Sequence, residues 1–418
     1  MGLFDWLRNT LFGPPKRDVT RMGVEGDADT VAEVVDVSGG PLKEKHRRRA
    51  LRDGRLLPKP KPVLPYPLRG KRKKYFTRDE ADRLFAATLR TRDRKLRDLL
   101  PDVEQLGRYG LPVWKTELDV AAALGLTVPQ LRFFSVHREM ERAPHYVAFT
   151  IPKRDGRPRT ILAPKRRLKK IQRTLLKLLV DPLPASEPAH AFRRGRSVKT
   201  GAQPHVGKKV VVRLDLKDCF PSLHVGRVRG MLVALGYGFP VATTLAVLMT
   251  ESERQPVEVD GTVYHVPVTS RYCVQGAPTS PGLCNALLAR LDRRLAGLAR
   301  KAGFAYTRYA DDLNFSGDDP GKVRRLISAA EWIVGQEGFR VNVAKTRVMR
   351  RGGPQRVTGV TVNDKLGLSR RERRKIRAEI HHIKTGKAGP GAEARVRGKL
   401  AWVAMLNPVQ AEKLRERM

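Results

Sequence analysis

The chain has 418 residues, with 83 Lys and Arg against 42 Asp and Glu, and a formal net charge of +41. This surplus points to a polyanionic partner, most simply nucleic acid, with an anionic membrane surface as the competing interpretation. No apolar run reaches membrane-spanning length, and Cys219, Cys273 and Cys284 do not have the spacing of metal ligands. We expect a cytoplasmic protein with reduced thiols and two or three folded domains.

Residues 1–74 predict an N-terminal extension. Leu3, Phe4, Leu7 and Leu11 have helical spacing, and residues 13–42 resemble a linker. Residues 43–74 hold fourteen Lys or Arg and five prolines, a composition that cannot bury a core. We interpret them as an extended basic arm that follows a phosphate backbone, with a solvated tail as the alternative.

Residues 75–145 predict a helical region. Within it, residues 117–134 predict a helix, a glycine turn and a second helix, the order of a DNA-binding helix-turn-helix. The second helix is apolar where a recognition helix needs polar side chains. We therefore favour a small helical subdomain over a DNA-binding regulator.

Strands alternate with helices along the rest of the chain, which favours an α/β or α+β architecture. The predicted elements are a hairpin over 147–163, a helix over 168–180, a buried strand over 209–216, helices over 286–299 and 322–337, and short strands near 339–341 and 357–362.

Two adjacent acids in Tyr309-Ala310-Asp311-Asp312 lie between strand-like runs that predict a tight hairpin turn. Neighbouring carboxylates repel each other unless a cation joins them. Asp215 ends the strand over 209–216, and Asp218 reads as a turn or helix-cap acid. Carboxylate oxygens suit Mg²⁺, and phosphoryl transfer by two metal ions uses acids from separate elements.

Between these acids lies the loop Gln275-Gly276-Ala277-Pro278-Thr279-Ser280-Pro281. Its glycine and prolines fix the backbone. A helix that begins near Pro281 would direct its N-terminus toward anions.

The order of these features resembles the palm motifs of a reverse transcriptase. Along the chain they are the strand with Asp215 and Phe220, the Gln275 loop, the Tyr309 turn and Lys345. Upstream, Ile151-Pro152-Lys153 through Arg159-Thr160-Ile161 resembles the fingers, so the resemblance spans residues 145–363. It implies an α+β right-hand polymerase fold with fingers, a palm with an antiparallel sheet and a helical thumb. The implied domains are 1–74, 75–145, 146–363 and 364–418.

Within that family the chain looks most like a bacterial retron reverse transcriptase. Val357-Thr358-Gly359 matches the retron Val-Thr-Gly element. Gly201-Ala202-Gln203-Pro204-His205 matches the Asn-Ala-x-x-His element, except that Gly201 replaces Asn. His190-Ala191-Phe192 with Gly195-Arg196-Ser197 also resembles this group.

The resemblance assigns roles to individual residues. Asp215, Asp311 and Asp312 would be the catalytic, metal-binding acids for two Mg²⁺ ions, with Asp215 and Asp311 the best bridging ligands. The nucleotide-binding residues would be Phe220 against the sugar 2′ position, Gln275 in the pocket, Lys153 and Arg159 on the triphosphate, and Lys345 near the departing pyrophosphate.

The C-terminal region predicts a basic amphipathic helix over 369–384, with Ile376, Ile380 and Ile383 on one face, and a second helix around Leu400–Leu406. Both resemble a thumb that grips an RNA–DNA duplex. The implied RNA-binding residues are Arg370, Arg371, Arg374, Arg377 and His205.

The resemblance implies RNA-directed DNA synthesis from dNTPs on a structured non-coding RNA encoded beside the gene. It would start at a guanosine 2′-OH and give branched RNA–DNA (msDNA) in anti-phage defence, with an accessory effector protein and no membrane. Alternatives are a group II intron or other bacterial reverse transcriptase, and a non-catalytic RNA-binding protein.

Overall fold

A computed structural model describes residues 99–136, 141–152 and 158–417. The predicted N-terminal extension, its basic arm and Lys153 lie outside these residues. Over the part of the chain that is described, no helix is both long and apolar enough to cross a membrane.

The described residues form ten strands and fourteen α-helices. The strands are β1 Tyr146–Pro152, β2 Pro158–Pro164, β3 Val210–Asp215, β4 Arg254–Val259, β5 Thr262–Pro267, β6 Phe304–Tyr309, β7 Asp312–Gly317, β8 Arg347–Arg350, β9 Arg356–Val357 and β10 Val360–Thr361. The helices are α1 Val103–Arg108, α2 Glu117–Leu124, α3 Val128–Ser135, α4 Arg166–Leu175, α5 Val198–Ala202, α6 Cys219–Ser222, α7 Val225–Ala234, α8 Phe239–Leu248, α9 Ser280–Leu287, α10 Ala289–Ala302, α11 Val323–Gln336, α12 Arg370–Lys384, α13 Ala392–Leu406 and α14 Pro408–Arg415.

These elements belong to two compact units. The first, the sheet unit, comprises 185–219 and 284–417; the second, the hairpin unit, comprises the described residues up to 184 together with 220–283.

An antiparallel sheet in the order β6-β7-β3-β8 organises the sheet unit. Val210, Val211, Val212 and Leu214 of β3 are fully buried, as their near-continuous apolar run predicts for a central strand. In the register, Asp215 lies opposite Asp312. The sheet therefore brings two of the three predicted acids to neighbouring positions.

One apolar core joins the C-terminal helices to the rest of the sheet unit. Ile376 of α12, Leu400 and Val403 of α13, and Leu414 of α14 pack in one cluster with Val357 of β9. Helix α12 begins at a capping box in which the Ser369 hydroxyl accepts a hydrogen bond from the Glu372 amide, which fixes its start. The division at residue 363 stays a prediction.

In the hairpin unit, β1 and β2 pair from Tyr146–Pro164 to Pro152–Pro158, which confirms the predicted hairpin. Helices α2 and α3 flank Gly125, which has a left-handed φ of 64°. Leu131 and Phe134 of α3 are buried, as expected for a helical subdomain whose second helix packs inward.

Three sequence predictions need correction. The helix over 286–299 is two helices, because the chain departs from helical geometry at Leu288, with φ −88° and ψ −2°. Residues near 339–341 make only a single bridge, Leu216 to Val341, and 357–362 is a tight hairpin of β9 and β10. Thr358 and Gly359 both have positive φ there, which a straight strand does not allow.

Gly276 holds the predicted nucleotide loop against β2. The Gln275 carbonyl accepts a hydrogen bond from the Leu162 amide at 3.0 Å. Gly276 has φ +124°, and a Cβ there would lie 2.5 Å from the Leu162 carbonyl oxygen. Only glycine fits this close backbone approach.

We predict that Gly276→Ala destabilises the protein by about 2 kcal/mol or more, because it adds both a backbone clash and an unfavourable φ. Urea denaturation measures this loss. Gly261→Ala is the matched control: φ is +72°, yet a Cβ meets nothing within 4 Å. Equal losses in the two variants would contradict a role for the contact with Leu162.

Candidate active site

Asp215 ends β3 in a nearly closed environment, with 1% of its surface exposed. Lys345 Nζ lies 2.9 Å from Oδ2 and 3.2 Å from Oδ1, and Asn342 Nδ2 donates to Oδ2 at 3.4 Å. Partial burial lowers the pKa of Lys345. The predicted pyrophosphate lysine therefore pairs directly with the predicted metal ligand.

Asp312 begins β7 and is 2% exposed. Arg213 reaches it diagonally across the sheet, with Nη2 at 2.8 Å and Nε at 3.0 Å from Oδ1. Two buried acids on facing strands thus each have a basic partner, as desolvated carboxylates require.

Asp311 is half-buried at the tip of the β6–β7 hairpin. Its carbonyl oxygen accepts a hydrogen bond from the Leu216 amide at 3.0 Å, which ties the turn to the end of β3. The preceding Ala310 is 1% exposed and has φ +56°, a conformation seldom adopted by residues other than glycine.

A buried guanidinium lies beneath this turn. Arg308 is fully buried; its Nε and Nη2 donate to the two carboxylate oxygens of Asp292, each at 2.8 Å. Its Nη1 donates to Asn285 Oδ1 and to the Ala310 carbonyl oxygen, both at 3.1 Å. Burial lowers the pKa of Arg308, but the interactions with Asp292 outweigh this effect, so the pKa lies above its ordinary value.

Sequence reasoning missed Arg213, Arg308, Asp292 and Asn285. A signal existed for Asp292, which lies among Leu288, Leu291 and Leu295 on the apolar side of α10. An acid in an apolar stripe predicts a buried partner, although the sequence does not say which.

The acids have the donor chemistry of a hard divalent cation: carboxylate oxygens from the end of β3 and from the β6–β7 turn. No group of three or more acids, His or Cys among the described residues has the arrangement of a metal site. Asp215 and Asp311 fit a cation by donor type and by their positions at the ends of adjoining strands.

Of the predicted nucleotide-binding residues, Arg159, Phe220 and Gln275 lie in the hairpin unit. Arg159 is on β2 and half-buried; Gln275, also half-buried, is joined to β2 through its backbone. Phe220 lies in α6 and is 8% exposed. Lys345 lies instead beside Asp215, in the sheet unit.

Comparisons with known proteins decide the family. Residues 151–372 match the family described as "Reverse transcriptase (RNA-dependent DNA polymerase)". The chain is 59% identical to the retron Mx65 reverse transcriptase of Myxococcus xanthus, over 100% of this chain and 99% of that protein. It is 32% identical to the retron Ec86 reverse transcriptase of Escherichia coli, over 72% of this chain and 87% of that protein.

The chain belongs to the retron reverse transcriptases. The predicted family, the right-hand polymerase fold and the enzyme class, an RNA-directed DNA polymerase, are confirmed. Such a polymerase depends on a divalent metal ion and copies an RNA template.

Solved structures overlap more weakly. A foamy viral protease-reverse transcriptase has a TM-score of 0.38 at 15% identity, over 63% of this chain and 37% of that one. Telomerase from Candida albicans has a TM-score of 0.41 at 13% identity, over 69% of this chain and 58% of that one.

In this retron reverse transcriptase the predicted RNA-binding arginines lie on α12. Arg370, Arg371 and Arg374 are exposed, whereas Arg377 is half-buried. The opposite side of the helix buries Ile376 and Ile380. The exposed arginines are available to a phosphate backbone.

His205 is fully buried, which argues against the predicted direct contact with RNA. Its Nδ1 lies 2.7 Å from Ser316 Oγ, and its Nε2 lies 2.7 Å from Thr307 Oγ1. Thr307 donates its own proton to the Gly201 carbonyl, so we assign the proton to Nε2, with Nδ1 accepting from Ser316. The imidazole joins the retron element to β6 and β7.

Gly201, the departure from the family pattern, has a local reason. A Cβ at this position would lie 3.2 Å from the Cβ of His190, closer than most real contacts. Asn would therefore require His190 to move.

Burial lowers the pKa of His205 to about 3. Between this value and about 6.5 in the unfolded chain, the unfolded state binds the extra proton, so stability falls as pH decreases. We predict that His205→Gln reduces the loss of unfolding free energy between pH 7 and pH 5 by about 2 kcal/mol. Denaturant titrations at both pH values measure it.

His382→Gln is the control, since His382 is exposed on α12. It should keep the pH dependence of the parent protein. The same pH dependence in His205→Gln and the parent would contradict the buried, neutral imidazole.

Proposed function

We propose that this protein makes branched RNA–DNA from a cognate structured RNA encoded beside its gene, using Asp215, Asp311 and Asp312 with two Mg²⁺ ions. The observation that carries the site is the register of the sheet, which places Asp215 opposite Asp312 and joins the Asp311 backbone to the end of β3. The 59% identity over the whole chain to a retron reverse transcriptase supports the product.

Asp215 and Asp311 would hold the ions, and Asp312 supports the turn through its pair with Arg213. When bound, such ions activate an attacking hydroxyl and stabilise the leaving oxygen. Lys345 now neutralises Asp215; a cation on that carboxylate would release the ammonium to meet the departing pyrophosphate.

The predicted nucleotide-binding residues other than Lys345 would bind the incoming dNTP. Arg159 offers a bidentate fork to phosphate oxygens, and Lys153 adds a second positive charge. Phe220 would exclude a ribose 2′-OH by its rigid ring, while Gln275 lines the pocket. The Leu162–Gln275 backbone hydrogen bond keeps the loop beside the strand that carries Arg159.

Priming from the 2′-OH of a guanosine in the RNA follows from the retron relationship and is part of the proposal. The strongly basic chain and the exposed arginines of α12 suit an RNA–DNA duplex. We further propose a role in defence against phage, with an accessory effector protein.

The test is to express the gene with its flanking DNA and to isolate small, abundant DNA that is branched and sensitive to RNase. The Asp311→Asn, Asp312→Asn double variant should abolish this product, because a neutral amide lacks the negative charge with which a carboxylate holds a hard divalent cation. Gel electrophoresis with and without RNase measures the product.

Asp364→Asn is the control, since Asp364 is an exposed acid of the same unit. It should leave the yield unchanged. Branched DNA that persists in the double variant would contradict the assignment of these acids as catalytic residues. RNA-templated DNA without a branch would instead contradict the proposed priming from a 2′-OH.

A further inference from the structure

We infer that Arg308 is a positioning residue that sets the backbone of the turn carrying Asp311. This inference rests on the proposed metal site at Asp215 and Asp311. Three features support it: a guanidinium oriented on both sides, a strained turn above it, and a contact that another cation would not reproduce.

The orientation of Arg308 comes from α9 and α10. Asp292 binds one edge of the guanidinium through both carboxylate oxygens and also accepts from the Tyr306 hydroxyl at 2.9 Å and from the Ser186 hydroxyl. Asn285 is fixed in turn, because its Nδ2 donates to the Ala191 carbonyl at 2.8 Å. With the guanidinium held in this way, Nη1 also donates a hydrogen bond to the Ala310 carbonyl oxygen.

The turn needs such support because its backbone is strained. Ala310 has φ +56°, whereas alanine favours the extended and right-handed conformations, in which φ is negative. The hydrogen bond from Arg308 to its carbonyl fixes one side of the peptide group that leads into Asp311, and the Leu216 amide fixes the next carbonyl. Together these two hydrogen bonds fix the backbone position from which the Asp311 side chain extends.

Arginine is required because its planar fork can bind Asp292 with one edge and the turn with another nitrogen. A lysine ammonium could neutralise Asp292 but would not span both partners with fixed geometry. Arg308→Lys therefore keeps the buried charge pair and removes the contact with Ala310.

We expect Arg308→Lys to lower kcat about a hundredfold, as a displaced catalytic group does, with the KM for dNTP unchanged. Mn²⁺ binding, followed by electron paramagnetic resonance without substrate, should weaken about tenfold, the typical effect of losing a group that orients a ligand. Thermal denaturation reports the fold of each variant.

Asn407→Ala is the matched control. It removes two hydrogen bonds from a buried residue of the same unit, those with the Leu366 carbonyl and the Gln410 amide, and does not involve the turn, so it should lower Tm while Mn²⁺ affinity stays at the parent value. If Arg308→Lys also keeps the parent Mn²⁺ affinity and kcat, or if both variants lose them in step with Tm, the positioning role is overturned. If Asp311→Asn binds Mn²⁺ as the parent does, the proposed metal site fails instead.

Independently, the structure assigns α4 and the turn after it as a surface for the RNA backbone. Arg166, Lys170, Arg173 and Lys177 follow one another at helical spacing and are all exposed. Leu168, Ile171, Leu175 and Leu179 occupy the opposite, buried side. The cations therefore form a stripe about 16 Å long on the outer face.

This stripe is unfavourable for an isolated helix. Residues 165–177 contain seven Lys or Arg and no acid, and like charges at i,i+4 repel. Basic residues in the first turn also oppose the helix dipole. A polyanion removes both penalties, and the substrate of an RNA-directed polymerase is one.

The test compares two four-site Gln variants, one of Arg166, Lys170, Arg173 and Lys177, the other of the exposed Arg300, Lys301, Arg324 and Arg325. Fluorescence anisotropy with a labelled single-stranded RNA gives affinity against salt. The first set should reduce the salt slope by about 3 and the second should not, because each lost phosphate contact removes about 0.7.

Equal salt slopes for the first variant and the parent would overturn the assignment of this stripe as a surface that binds the RNA backbone. Equal reductions in both variants would also overturn it, since they would reflect net charge alone. Thermal denaturation, with a Tm close to that of the parent in both variants, separates these outcomes from loss of the fold.

Discussion

The buried ion pair between Arg308 and Asp292 is the interaction on which the arrangement of the site depends. Both side chains are fully inaccessible to solvent, and removing one partner from such a pair typically costs about 3–5 kcal/mol. The pair joins α10 to β6, and the same guanidinium reaches the backbone of the Ala310 turn. Stability and the geometry of the acids are therefore linked, because the ion pair that stabilises the sheet unit also positions the turn that carries Asp311.

Charge compensation extends through the site. Lys345 accompanies Asp215 and Arg213 accompanies Asp312, so both acids are paired while buried. Because Asp311 is the more exposed acid and belongs to a turn held from two sides, it is the one whose position depends most on the surrounding network. Under the proposed function, a divalent cation would compete with Lys345 for Asp215, so metal binding would change the contacts of the lysine proposed to act on pyrophosphate.

The sequence was sufficient for the elements with strong local signals. The β6–β7 turn, the apolar strand that ends in Asp215 and the hairpin of β1 and β2 follow from alternation and turn residues. It was insufficient where partners are distant: Arg308 and Asp292 are sixteen residues apart, and nothing local pairs them. The contacts of His205 with Ser316 and Thr307 could not be predicted, because a histidine in a motif looks the same whether it contacts RNA or two buried hydroxyls. Strand β8 was missed because it depends on pairing with the distant β3. Strands β9 and β10 were merged into one because the turn between them depends on positive φ values at Thr358 and Gly359.

The most direct test of the account is single-nucleotide incorporation by the purified full chain on an RNA template, with Asp215→Asn and Asp311→Asn each compared with the parent. Acids that serve one metal site should each be indispensable, so each variant should lose about a thousandfold or more in kcat while remaining folded. A folded variant of either residue that incorporates dNTP within a few-fold of the parent would contradict a site shared by β3 and the β6–β7 turn.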